Sequence, residues 1–252
     1  MPEDWDFYLC KVNGVLASIA LDLGLRMSIP DLSKPDLLWV WVYFQSPRPD
    51  GLSDSSEFDV LISIEEKLTE TLESRFNAIL SGRITTDGRR EFYYYGLHSD
   101  SFESAVAGAL AHFSTYEFDS GSQKDPAWKQ YLEVLYPSDE NLQQIKNRSV
   151  LNVLEREGDT LEAPRDIWHW IYFRTNSDRE AFWTVIQLLS YRLQSKPDKA
   201  GDDFPFGLCI VRFQSVKEDD IDEAVTELSR CAKEFRGDYD GWETKVIPER
   251  DS

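Results

Sequence analysis

Three histidines, His98, His112 and His169, are the whole imidazole supply of the chain. Each could ligate a metal or move a proton, but both tasks need company: a second His or a Cys at ligand spacing, or a hydroxyl or thiol to activate. None of the three has such a neighbour in the sequence. His98 falls at a strand end and His112 in a helix. His169 stands between Trp168 and Trp170 in a strand, where a hydrogen-bonded structural role is expected. Cys10, Cys209 and Cys231 are scattered and odd in number, so they read as free thiols of a reducing cytoplasm. The sequence contains no serine elbow of the type G-x-S-x-G, no Walker loop and no dinucleotide fingerprint. It assigns no catalytic residue, no metal ligand and no cofactor.

Acidic pairs are the other candidates. Asp202-Asp203 lies in a loop and Asp219-Asp220 opens a helix, where carboxylates favour the macrodipole without any chemistry. Basic residues are scarce, and Arg83, Arg89 and Arg90 cluster around the turn Asp87-Gly88. On a hairpin Arg89 and Arg90 point to opposite faces. They could hold an anion, but pairing with the acidic surface is the preferred reading.

The elements that carry these residues follow from pattern. Asn13-Gly14 between Trp5–Val12 and Val15–Leu23 signals a hairpin. Leu37–Phe44 is a strand, and Phe58, Leu61, Ile62, Leu68, Leu72 and Phe76 mark a helix over about 57–77. Ile79–Thr86 and Arg89–Leu97 flank a second hairpin at Asp87-Gly88. Phe102, Ala105, Val106, Ala109, Leu110 and Phe113 form another helix face. Thr115–Asp119 and Trp128–Leu135 are read as closing strands. The order strand, helix, hairpin, helix, strand then recurs. Ile167–Phe173 is followed by a helix capped at Ser177-Asp-Arg-Glu180, by strands Tyr191–Gln194 and Gly207–Phe213, by a helix carrying Ile221 through Phe235, and by Tyr239–Ile247. Trp39-Val-Trp-Val-Tyr-Phe44 even resembles Trp168-His-Trp-Ile-Tyr-Phe173. The fold class expected is α+β, two ferredoxin-like βαββαβ domains in tandem, the first with an extra N-terminal β-hairpin. The domains are expected over 1–140 and 141–252, the second entered through a linker helix.

A hydrophobic share of 41% is ample for two cores, and no apolar run is long enough to span a membrane. The N-terminus shows no basic region followed by an apolar one, so no signal peptide is expected. The net charge of -19 repels phosphate backbones and favours basic partners.

Two stretches carry family resemblances. The helix Ile221-Asp-Glu-Ala-Val-Thr-Glu-Leu-Ser-Arg-Cys-Ala-Lys-Glu-Phe235, running into Tyr239-Asp-Gly-Trp242, resembles the regulator of ribonuclease E activity B family, as does the strand Gly207–Phe213 before it. The likeness covers about Asn152 to Ile247 and lacks that family's long acidic tail. Pro49-Asp-Gly-Leu52, Gly82-Arg-Ile-Thr-Thr-Asp-Gly-Arg-Arg-Glu-Phe92, Asp125-Pro-Ala-Trp128 and Leu135-Tyr-Pro137 are similar to an uncharacterised bacterial family, domain of unknown function six-nine-five. The first resemblance implies a bacterial ribonuclease inhibitor that acts by protein–protein contact. The second brings no activity.

Together these readings give a non-enzymatic, acidic regulatory binding protein, with an immunity-type protein neutralising a basic toxin or a small-ligand sensor as alternatives. The expected partner is a protein with a basic segment, neither nucleic acid nor membrane. The expected partner-binding residues are Asp222, Glu223, Glu227, Tyr239, Asp240, Gly241 and Trp242. The helix is expected to leave Asp219, Asp222, Glu223, Glu227 and Glu234 largely in water. Two readings of Trp242 stay open, an interface anchor or a core residue of the last strand, and Gly241 is read as serving a tight turn or bulge beside Tyr239 and Trp242.

Overall fold

The computed structural model describes residues 3–199 and 201–248. The chain divides between Asn141 and Leu142 into two compact units. Both are α+β.

In the first unit, β1 (Trp5–Val12), β2 (Val15–Asp22), β3 (Asp36–Tyr43), β4 (Ile79–Thr86), β5 (Arg89–Gly96) and β6 (Phe118–Lys124) form one sheet in the order β1-β2-β4-β5-β3-β6. Every neighbouring pair is antiparallel. Without the hairpin β1–β2, the remaining four strands have the ferredoxin-like order. Helices α1 (Phe58–Phe76) and α2 (Phe102–Leu110) cover one face. Leu38, Val40 and Val42 alternate inward from β3 against Leu61, Ile64, Leu68, Leu72 and Phe76 of α1 and Phe102, Val106 and Leu110 of α2, all nearly or fully buried. Truncating one such leucine to alanine costs about 2–5 kcal/mol. Asn77 ends α1 in the left-handed conformation (φ 49°), the usual helix stop when glycine is absent.

The second unit holds β7 (Arg165–Phe173), β8 (Arg192–Ser195), β9 (Phe206–Gln214) and β10 (Gly237–Thr244) in the order β10-β7-β9-β8. Helices α4 (Asn176–Ile186) and α5 (Glu218–Glu234) lie on one face, and α3 (Asp139–Arg156) leads into the unit. Ile171, Phe173, Leu208 and Ile210 meet Phe182, Ile186, Leu228 and Ala232 in one core cluster. Strands β3 and β7 hold the same place, each the first strand of its four-stranded ferredoxin-like core and flanked by that core's third and fourth strands, β5 and β6 in one and β9 and β10 in the other.

Three local expectations are corrected. Trp128–Leu135 is not a strand: Gln130–Leu135 is a short helical turn of the π type. The cause is Asp125, whose carboxylate accepts the backbone N–H groups of Lys129 and Gln130 at 3.0 Å each and so starts a turn. The closing strand is β6. The cap of α4 is Thr175, whose hydroxyl accepts the Asp178 N–H at 3.1 Å, two residues before the expected box. His112 lies in the turn after α2, which ends at Leu110.

The face of the first sheet away from the helices is covered by the segment after β6. Trp128 stacks on Tyr95 with ring centroids 3.8 Å apart, and Tyr8 donates to the Leu135 carbonyl at 2.9 Å. On the helix side the sheet outgrows its helices. Ala17, Ile19 and Leu21 of β2 are buried, while Ser18 and Ala20, which face the other way, are only half-buried.

Candidate functional site

The segment Tyr239-Asp-Gly-Trp242 is built around a β-bulge. The register of β10 against β7 pairs Tyr239 with Ile171, then Gly241 with Trp170 and Trp242 with His169, leaving Asp240 without an opposite number. In a regular strand residues three apart face opposite ways. One extra residue cancels that, so Tyr239 and Trp242 both turn to the helix-covered face, where Ile171 and His169 also lie. Trp242 is 8% exposed and packs with Leu151, Leu154, Ile167, Ile221 and Val225. Its indole N–H donates to Asn147 Oδ1 at 2.9 Å, and Asn147 Nδ2 donates to Asp222 Oδ1 at 2.8 Å. This chain of bonds ties β10 through α3 to α5. The Tyr239 hydroxyl lies 2.8 Å from His169 Nδ1, and burial pushes the phenol well above its ordinary pKa.

Asp222 therefore departs from expectation. It is half-buried and held by Asn147, because it sits on the flank of α5 that turns toward α3. Burial raises its pKa, and the Asn147 hydrogen bond partly opposes the rise. Glu227 is also half-buried, 3.9 Å from the Arg212 guanidinium. Glu223 and Asp240 are exposed, as are Glu218, Asp219, Asp220, Glu234, Asp238 and Glu243. The seven sequence-predicted residues thus separate. Tyr239, Trp242 and Asp222 sit in the framework. Glu223 and Asp240 belong to an acidic surface that α5 and β10 continue. Glu227 lies at its margin, and Gly241 pairs within the bulge.

In the first unit the motif residues mostly meet one another. The Gly88 N–H donates to the Gly51 carbonyl at 2.9 Å, and a Cβ at Gly51 (φ 83°) would come within 2.9 Å of the Asp87 nitrogen. Glycine at position 51 thus permits both the left-handed backbone and the close approach. Asp125 accepts the Tyr95 hydroxyl at 2.6 Å, which together with its two backbone donors holds the carboxyl below its usual range despite burial. Arg89 pairs with Glu91 at 2.6 Å and Asp87 at 3.1 Å, and Arg83 with Glu65 at 2.5 Å. Arg90 is buried and makes no such pair among the described residues.

His169 is wholly buried, and burial, aided by Arg212, drops its pKa to about 3. Among the described residues, no group of three His, Cys, Asp or Glu is placed to hold a metal ion, and no helix is long and apolar enough to cross a membrane.

Residues 3–136 match the family described as Family of unknown function (DUF695). The chain belongs to this family. Behind the DUF695 part, residues 144–244 match the family described as Regulator of ribonuclease activity B. No curated protein matches the chain in sequence. A solved structure titled as an unknown protein from Galdieria sulphuraria aligns over 82% of this chain and 96% of its own at 12% identity, with a TM-score of 0.22, a value that carries no argument for fold or function. Most residues that carry the DUF695 resemblance are explained by packing, with Arg90 the exception. The segment that carries the second resemblance, Tyr239 to Trp242, is likewise explained by the bulge it forms.

Proposed function

We propose that this protein is a non-enzymatic regulator that modulates an RNA-degrading enzyme through protein–protein contact. The carrying observation is the match of residues 144–244 to Regulator of ribonuclease activity B. The physical support is the surface of the same unit. Glu218, Asp219, Asp220, Glu223 and Glu234 of α5 and Asp238, Asp240 and Glu243 of β10 are all exposed carboxylates on a chain of net charge -19. Such a surface steers toward a basic segment and repels RNA itself. Regulation would then come from covering a basic, noncatalytic region of the nuclease rather than from competing for substrate. Tyr239 and Trp242 hold the surface in place, and Asp240, put outward by the bulge, belongs to it.

The test uses the whole chain immobilised on a support and exposed to lysate, with the captured proteins identified, followed by an RNA-cleavage assay of the captured nuclease. The expected result is a ribonuclease in the capture and slower RNA turnover when the chain is added. A capture without any ribonuclease, or a nuclease whose turnover the chain leaves unchanged, overturns the reading. Capture of a basic toxin would turn it into the immunity alternative.

A further inference from the structure

The helix side of the β1–β2 hairpin carries a feature that partner binding does not use. An open cavity of about 490 Å³ is lined by Trp5, Asp6 and Phe7 of β1, Ser18 and Ala20 of β2, Arg83 and Thr85 of β4, Arg90 of β5 and Glu65 of α1. Its size falls within the range of small-molecule sites. It exists because the sheet extends beyond α1, leaving a ledge whose floor is β2 and β4.

The decisive group is Arg90. Its side chain is 7% exposed, and its Nε donates to the Thr85 hydroxyl at 3.2 Å. Among the described residues no carboxylate stands within ion-pair distance of it. Glu65, the nearest acid on the helix, is taken by Arg83 at 2.5 Å. Asp6 falls on the other side of β1 by strand alternation, because it pairs with buried Leu21 whereas Phe7 pairs with Ala20. Burial and the neighbouring Arg83 push the Arg90 pKa down to about 10, with Glu65 opposing only in part. A buried guanidinium lacking an anion is a costly arrangement, since buried charges are otherwise paired. Glu65 and Asp6 line the same cavity, yet among the described residues neither makes an ion pair with Arg90, which sets this guanidinium apart in a chain with 46 acidic residues.

The remaining lining fits a ligand to that charge. The Thr85 hydroxyl accepts from Arg90 and keeps its own proton to donate, and the Ser18 hydroxyl faces the same space. Trp5 flanks Arg83 at 5.9 Å from its ring centroid, so an aromatic wall stands beside the cationic floor. We propose that this cavity binds a small molecule carrying a carboxylate or phosphate on a flat apolar body, its anion gripped by the terminal nitrogens of Arg90 and its ring laid against Trp5 and Phe7. A guanidinium fork suits both anions in a bidentate fashion.

Calorimetric titration of the full chain with benzoate, phenyl phosphate and benzyl alcohol tests this. Benzoate, phenyl phosphate or both should bind, and which of them binds more tightly names the anion. Benzyl alcohol, with the same ring and no charge, should bind at least about tenfold more weakly than the preferred anion. Arg90→Gln should weaken anion binding by about tenfold to a hundredfold. Ala20→Leu fills the cavity without touching a charge and should weaken it comparably, which keeps the test standing if Arg90→Gln fails to fold. Arg89→Gln, on the opposite face, should change nothing. No binding of either anion, equal binding of benzyl alcohol, or anion binding unaltered in Ala20→Leu would each overturn the proposal.

Discussion

At His169 the second unit keeps an imidazole neutral by enclosing it. The folded pKa is about 3, whereas an unfolded chain releases it to about 6.5. Between those values the unfolded state binds the extra proton, so stability is full above the upper one and falls as pH drops toward the lower. The slope is about 1.4 kcal/mol per pH unit while only this group titrates. Urea denaturation at a series of pH values should show that slope in the natural protein and a flatter one in His169→Gln; an unchanged slope would place the acid sensitivity elsewhere. Asp159 acts lower on the scale. Its bond to Arg165 depresses it to about 2, so its contribution is held above its ordinary value and is lost as pH falls through the depressed one. Trp242 offers a second test. Trp242→Phe keeps the ring but removes the donor to Asn147, costing about 1–3 kcal/mol, and Trp242→Ala costs about 3–5 kcal/mol. If Trp242 is a framework residue, the folded Trp242→Phe protein should bind a captured partner with unchanged affinity, measured by surface plasmon resonance; a large loss of affinity would make it an anchor instead.

At the scale of the element, α5 divides its charges between work inside and outside. Reversing Glu218, Asp219 and Glu223 to lysine touches only exposed groups, but Glu218 and Asp219 lie in the first turn of α5, where carboxylates favour the macrodipole, so stability should fall by about 1–3 kcal/mol with the fold kept. It should nevertheless slow association with a basic partner, most at low salt, when followed by stopped flow. Adding Asp222→Lys should be different in kind, because it breaks the bond from Asn147 and puts a cation where α3 meets α5. The stripe that faces the sheet was legible, since Ile221, Ala224, Val225, Leu228 and Ala232 recur at helical spacing and are all buried. So were the hairpins at Asn13-Gly14 and Asp87-Gly88, where positive φ at all four residues matches what those pairs favour. At Gly241 a tight turn or bulge was legible, but not that Asp240 would be the unpaired residue and that both rings would share a face. A bulge is decided by which side chains the opposite strand leaves room for, and Tyr-x-x-Trp alone fits a strand with one ring on each face. The turn after Asp125 was missed for a related reason. Its apolar residues satisfy a strand pattern, and only the carboxylate that gathers two backbone donors makes it coil. Arg90 was legible as one of three arginines able to hold an anion, but the preferred reading, pairing with nearby acids, holds for Arg83 and Arg89 and, among the described residues, not for Arg90, whose burial the sequence does not show.

Across the whole molecule the net charge of -19 acts twice. Raising salt from about 0.01 M to about 0.15 M shortens the screening length from about 30 Å to about 8 Å. Self-repulsion within the fold is relieved, so the midpoint of thermal unfolding should rise over that interval. Association with a basic partner loses its steering over the same interval and should slow. Calorimetry and stopped-flow kinetics on one salt series should therefore move in opposite senses, and parallel movement would mean that charge does not govern the contact. The hairpin at the front of the chain has a consequence of another sort, in the order of biosynthesis. Strands β1 and β2 leave the ribosome before the other strands of their sheet, and each can find the other at once. Yet β2 joins the sheet only by pairing Ala17 through Leu21 with Thr86 back to Gly82, and those residues follow β3 and the whole of α1. Such a distant pairing is slow to form. The nascent chain thus carries a finished ribbon whose open edge waits for β4 and whose apolar underside, Ala17, Ile19 and Leu21, stays open longer still, until the segment after β6 brings Tyr131 and Leu135 over it, which exposes this stretch to misassociation during synthesis.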